Sequence, residues 1–115
     1  TNIKVFVIIL SMIIVNTPQI AGKTIKENLG IVRGNSVRAK WFGADFISGL
    51  QNLVGGEMNQ YTKLMVEARE TAIEKMTEDA KEIKADAIVN VRFMTSQIAN
   101  GAAEILVYGT AVKLK

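Results

Sequence analysis

The sequence predicts an α+β fold, an antiparallel β-sheet with two helices on one face. Three observations carry that prediction. Apolar residues recur at three- and four-residue spacing from Tyr61 to Ile83 without a Gly or Pro between them. Two strand-like runs, 87–98 and 103–114, are joined by Ala99-Asn100-Gly101-Ala102, and Asn-Gly is among the strongest short-range hairpin signals. Upstream, Ile20–Leu29 and Ile31–Val37 read as one extended stretch interrupted by Gly30 and Gly34. A glycine inside a strand pattern marks a bulge, a bend or the close approach of another backbone.

The elements follow in chain order. Val5–Val15 is apolar except for Ser11 and follows Lys4. Eleven residues fall short of the roughly 20 that a spanning helix needs. The run therefore reads as a buried strand or paired extension, as an export or anchoring segment, or as sequence upstream of a true start at Met12. Pro18 closes it, because proline lacks the N–H that a central strand requires. Beyond Ser36 the period lengthens. Phe46, Ile47, Leu50, Leu53 and Val54 share one face of a first helix, which Gly55-Gly56 ends. The second helix, from Tyr61, sets Leu64, Met65, Ala68, Ala72, Met76 and Ala80 against a charged opposite side. Its alanines predict close approach to a sheet, where bulk would hold the layers apart.

The hairpin is apolar on both faces. Ala87, Val89, Val91 and Phe93 are expected on one side, with Ile88 and Met94 on the other beside Asn90 and Arg92. In the last strand Leu106, Tyr108, Val112 and Leu114 oppose Ile105, Val107 and Ala111. A helix pair covers only one face of such a sheet, so the other is covered by another subunit or left as an exposed sticky patch, and a homo-oligomer is expected.

Composition limits the chemistry. The 115 residues contain no Cys and no His, which removes thiolate catalysis, Ser-His and Cys-His pairs, zinc fingers and imidazole-ligated metals. Apolar residues make up 49% and charged residues 22%, the balance of a packed globular domain. A net charge of +3 is too small to argue nucleic-acid binding, and Lys40-Trp41-Phe42 is too thin for a stacking platform. Asp45 and Glu57 lie on either side of the first helix with no partner to complete an acid–base pair, so the chain is not expected to be an enzyme.

Five ordered segments carry a resemblance: Gly30-Ile31-Val32-Arg33-Gly34; Val54-Gly55-Gly56-Glu57 followed by Tyr61; Glu67-Ala68-Arg69-Glu70; Ala85-Asp86-Ala87-Ile88-Val89; and Tyr108-Gly109-Thr110-Ala111-Val112. In order and spacing they resemble the YbjQ-like family, whose domain carries a heavy-metal-binding label. The likeness spans 12–115 and leaves 1–11 as an apolar extension. It implies a YbjQ-like α+β domain assembled as a cyclic oligomer, a homopentamer. Where the family pattern places glycine before Ala-Asp-Ala, this chain has Lys84. A left-handed cap there would cost on the order of 1 kcal/mol with a non-glycine residue.

With these motifs as guide, the ligand-binding candidates are Arg33, Gly55, Gly56, Glu57, Tyr61 and Arg69. Gly55-Gly56 could offer backbone N–H groups to a phosphate, but it lacks the Lys-Ser or Lys-Thr of a P-loop and follows a helix, so a helix-terminating turn is the favoured reading. Arg33, Arg69, Glu70 and Arg92 are the charged residues expected to be semi-buried, Arg69 as an ion pair fixing helix to sheet or subunit to subunit. Heavy metals prefer thiolate or imidazole. Methionine is the soft donor that remains, and Met58, Met65, Met76 and Met94 form no motif. Glu70, Glu74 and Glu78, continued by Glu82, recur every four residues; they are weak oxygen ligands for a hard ion or a solvated acidic face. The location expected is cytoplasmic. The alternative is membrane association or export, with membrane contact through residues 3–15.

Overall fold

The computed structural model describes residues 12–39, 56–99 and 102–115. Strand β1 (Ile13–Ile14) is followed by β2 (Ile25–Ala39), helix α1 (Gly56–Glu82), β3 (Ala87–Ala99) and β4 (Ala102–Leu114). The strands form one sheet in the order β1-β3-β4-β2. The expected first helix, Phe46–Val54, the Asn100-Gly101 turn and residues 1–11 lie outside the described residues.

The sheet is mixed rather than antiparallel. β2 and β3 both pair antiparallel with β4, but β1 runs parallel to β3, with Ile13 opposite Ala87 and Ile14 opposite Ile88. Parallel entry is possible because residues 15–24 lead the chain away from β1, across to the far edge where β2 begins. A turn closed by the Lys23 N–H on the Ile20 carbonyl (3.1 Å), with Gly22 at φ 76°, forms part of that passage. β2 is a single 15-residue strand. Gly30, at φ 113°, marks an irregularity where the register with β4 shifts between Asn28 and Gly30.

Gly34 plays a different part. A Cβ built there would collide with the Ala72 carbonyl and lie 2.5 Å from the Met76 backbone nitrogen. The helix backbone thus rests on the strand backbone with no side chain between them. On the helix, Ala68, Ala72, Met76 and Ala80 are buried to within 1%. Opposite them on the sheet lie Val32, Ile88, Val91, Ile105, Val107 and Ala111. The alanine stripe thus meets the sheet as the sequence suggests. α1 lies over β2 and β4, and Phe93 on outlying β3 remains 46% exposed.

The phase of β3 differs from strict alternation. Asn90 has φ 55°, and Val89 pairs with Thr110 while Arg92 pairs with Tyr108. Asn90 and Val91 therefore share one opposing residue, Gly109, as in a bulge whose first residue is left-handed. A Cβ on Gly109 would meet Ile88 Cγ2 at 2.8 Å and Val91 Cγ2 at 3.0 Å. The extra residue moves Val91 into the helix-facing core with Ile88, away from Ala87 and Val89, and turns Arg92 to the outer face. Val15 and Thr17 line this bend, accepting hydrogen bonds from the Val91 N–H (3.1 Å) and the Asn90 N–H (3.0 Å).

The outer face is only partly bare. At the end where β2 and β3 begin, Ala87, Val89 and Val112 are covered by Ile13, Val15, Ile20 and Ile25 of the same chain, beside Leu114. A second subunit is not needed there. Farther along, Ile31 is 76% exposed, Met94 53% and Val37 46%.

Helix α1 closes with the cap its sequence makes expensive. Lys84, at φ 62°, donates its N–H to the Lys81 carbonyl, and Ala85 donates to the Ala80 carbonyl, both at 3.0 Å. This pair of bonds is the Schellman motif, with Lys84 where glycine is usual. The next residue fastens the sheet. Asp86 Oδ2 accepts the Leu114 N–H at 2.9 Å, the Asp86 N–H reaches the Val112 carbonyl, and Lys113 Nζ lies 3.7 Å from Asp86 Oδ1 while donating to the Lys84 carbonyl. The Leu114 N–H chiefly, helped by Lys113, holds the Asp86 carboxyl below its ordinary range.

Replacing Lys84 by Gly is expected to stabilise the fold by about 1 kcal/mol, read as a rise of roughly 4–6 °C in Tm. Gly34→Ala should act in the opposite direction, costing about 2–3 kcal/mol because the helix must lift from the sheet. Chemical denaturation of the two variants checks both signs.

Candidate functional site

Antiparallel pairing places β2 at the open edge of the sheet, beside the C-terminal half of α1. Asp79 reaches that edge, and its Oδ2 accepts the Arg33 backbone N–H at 3.3 Å. Between strand and helix lies a cleft of about 380 Å³ lined by Arg33, Asn35, Lys75, Glu78, Asp79 and Glu82. It is open and carries both signs of charge, the character of a site for a small polar molecule or for a neighbouring chain. Two polar contacts brace the same strand. Asn35 Nδ2 donates to Glu104 Oε2 at 3.1 Å, and Arg38 Nη2 donates to Thr71 Oγ1 on the helix at 3.0 Å.

Of the sequence candidates, Arg33 and Glu78 meet in this cleft, joined by Glu82. Asn35, Lys75 and Asp79 were not singled out by sequence reasoning. The signal that could have found them is joint: edge-strand residues lying beside two successive turns of an adjacent helix. Arg69 and Glu70 stand apart from the cleft. Both are exposed, as are Arg33 and Arg92, so the expected semi-buried charges are surface groups. Arg92 does serve as a tie, donating from Nη1 to the Asn16 carbonyl at 2.8 Å and to the Val91 carbonyl at 3.0 Å.

Gly56 is the first residue of α1, and the helix expected to end at Gly55-Gly56 lies outside the described residues. Glu57 and Tyr61 both fall in the opening turns of α1, while Gly55 lies outside the described residues.

The metal candidates do not converge. Glu70, Glu74 and Glu78 lie on successive turns about 6 Å apart along one helix, and among the described residues no loop wraps an ion beside them. Among the described residues no group of three or more carboxylates is placed to hold a metal. Met76 is wholly buried in the core and Met65 packs against it, so neither presents its sulfur as a ligand. With no Cys and no His, the donors on this chain do not fit a heavy metal.

Comparison with known proteins supplies the family. A profile described as "Putative heavy-metal-binding", for YbjQ, matches residues 12–115. The chain belongs to the YbjQ family. A UPF0145 protein of Methanosarcina acetivorans is 57% identical over 103 residues, covering 90% of this chain and 97% of that protein. Another, from Halorubrum lacusprofundi, is 55% identical over 100 residues, covering 87% and 96%. A solved structure of a Pediococcus pentosaceus protein of unknown function, assigned to the DUF74 family, aligns with TM-score 0.57 at 20% identity, covering 90% of this chain and 98% of that one. This last likeness concerns the fold alone. None of these relatives' names states an activity, and the family's metal label is at odds with the donor set here.

Zn²⁺, Cd²⁺ or Cu⁺ at tenfold excess should leave the melting temperature unchanged, and elemental analysis after dialysis should find no stoichiometric metal. A metal retained one to one per chain would refute it.

Proposed function

We propose that this YbjQ-family domain is a non-enzymatic subunit of a closed ring, with its ligand-binding surface formed along the junctions between subunits. The observation that carries the reading is a pair of long strand edges, on opposite sides of one sheet, that have no strand partner among the described residues. On one side is β2, 15 residues long. On the other is β3, whose stretch from Arg92 onward has no strand partner on its outer side among the described residues, because β1 covers only Ala87 and Ile88. Unpaired edges of this length are normally covered. Pairing the β3 edge of one subunit with the β2 edge of the next is a heterologous contact, which is the kind that closes into rings. Five subunits is the number the family resemblance implies.

The exposed apolar residues support the same arrangement. Ile31, Val37 and Met94 lie beside these edges on the outer face, where a neighbour would cover them. The cleft at Arg33 and Asn35 opens along the β2 edge, so a neighbour arriving there would narrow it into an enclosed site for a small polar ligand. A catalytic role has less support. Among the described residues the buried hydroxyls, Ser36 and Thr77, do not line the cleft, and the Thr77 hydroxyl is spent on the Ile73 carbonyl at 2.8 Å.

Light scattering of the purified protein at micromolar concentration should give a single species at a multiple of 12.6 kDa. Ile31→Glu together with Met94→Glu should reduce it to monomer without lowering the helical circular dichroism signal. A monodisperse wild-type monomer would remove the proposal.

A further inference from the structure

The cleft at Arg33 opens on the β2 edge, and the residues around it fix where a neighbouring copy can begin to pair. Tyr108 on the central strand β4 pairs with Arg33 on one side and with Arg92 on the other, so the three form one row across the sheet. Each outer edge carries a stop at that row. On β2 the Arg33 N–H is held by Asp79 Oδ2 at 3.3 Å, and on β3 the Val91 N–H is held by the Val15 carbonyl at 3.1 Å. Edge-facing amides alternate along a strand, so the next ones beyond the stops are Asn35 and Val37 on β2, and Phe93 and Thr95 on β3. Among the described residues none of these four amides has a strand partner on the outer side.

The two stops select one direction and one register. β2 and β3 both run antiparallel to β4, so they point the same way. In a closed ring the next copy presents its β2 edge to β3 with its outer face still outward, which makes the joined strands parallel. Matching the first amides past each stop gives the Phe93 N–H to the neighbour's Asn35 carbonyl, and parallel geometry then sets Arg92 opposite Asn35. Two residues on, Met94 stands opposite Val37, so two exposed apolar side chains of the outer face cover one another.

Charge agrees with this register. In the cleft Arg33 and Lys75 face three carboxylates, Glu78, Asp79 and Glu82. From Arg92 to Ala99, Arg92 is the sole charged residue of β3. Its bonds to the Asn16 and Val91 carbonyls both leave from Nη1, so Nη2 and Nε have no partner among the described residues. Asp79 spends Oδ2 on the Arg33 N–H and keeps Oδ1.

We propose that the cleft at Arg33 is completed by Arg92 of the neighbouring copy, delivered by parallel pairing of β3 with β2 and acting as counter-ion to Glu78 and Asp79. This contact rests on the ring proposed above and names the side chain that closes its cleft. With Arg92 in place three cations meet three carboxylates, and neither copy holds the balanced site alone.

The chain has no cysteine, so paired substitutions test the register directly. Val37 of one copy and Met94 of the next should lie about 5 Å apart, within disulfide reach. Inside one chain β4 separates these two positions by about 10 Å, so a disulfide between them joins two copies. Oxidation of Val37→Cys/Met94→Cys with diamide should convert most of the protein into a reductant-sensitive ladder on denaturing gels. Val37→Cys/Ser96→Cys, two residues out of register and about 8 Å apart, should crosslink about tenfold less. Arg92→Glu should raise the concentration at which copies dissociate about tenfold, and adding Glu78→Arg should recover most of that loss. An assembled protein in which the Val37 and Met94 pair stays uncrosslinked, the Ser96 pair crosslinks better, or Glu78→Arg fails to rescue Arg92→Glu would overturn this junction and leave the ring standing. A wild type that light scattering finds monomeric would remove ring and junction together.

Discussion

The rest of the structure depends on the contact between the backbone of α1 and that of β2 at Gly34. Ala68, Ala72 and Ala80 remove bulk from the helix, and Gly34 removes it from the strand, so the two layers meet without a side chain between them. That closeness sets Asp79 within reach of the Arg33 N–H and Thr71 within reach of the Arg38 guanidinium. It also limits coverage. Seated over β2 and β4, α1 leaves outlying β3 partly bare among the described residues, as Phe93 shows.

Two left-handed residues organise the remainder. Lys84 ends α1 and delivers Asp86 to the termini of β4, where one carboxylate closes a strand end through the Leu114 N–H. Asn90 introduces the bulge that resets β3, seats Val91 in the core and turns Arg92 toward the Asn16 carbonyl. Neither is glycine, so each holds a backbone conformation costing roughly 1 kcal/mol or more that its surroundings must offset. At Asn90 those surroundings are Gly109 and the segment Val15–Thr17. The short parallel strand β1 is thus part of what keeps the hairpin in register.

Much of this was legible in the sequence, for local reasons. The helix, both hairpin strands and the close approach at the alanine stripe follow from periodicity and side-chain size. Lys84 in place of a family glycine pointed to a costly cap, and the cap is there. What escaped is what depends on long-range pairing. No local pattern says that Ile13 and Ile14 pair parallel to β3, so the sheet read as wholly antiparallel. A bulge changes phase without changing composition, which put Val91 on the wrong face. The outer face seemed to require a partner throughout because nothing local shows that Ile13, Val15, Ile20 and Ile25 fold back over Ala87, Val89 and Val112. The cleft was missed for the same reason. Its residues come from a strand and a helix more than 35 positions apart.

These constraints share one outcome: with α1 pinned to one half of the sheet, the β2 edge and the β3 edge from Arg92 onward have no strand partner among the described residues. The Arg33 N–H faces outward to Asp79 and the Val91 N–H outward to Val15, so strand alternation places the Asn35, Val37, Phe93 and Thr95 amides on the two free edges. Hydrogen exchange at these four amides in the native protein is the most direct measurement. Edge-to-edge closure predicts exchange slowed by at least 100-fold relative to the same amides in a monomeric edge variant. Exchange at these positions as fast as in that monomer would contradict the account.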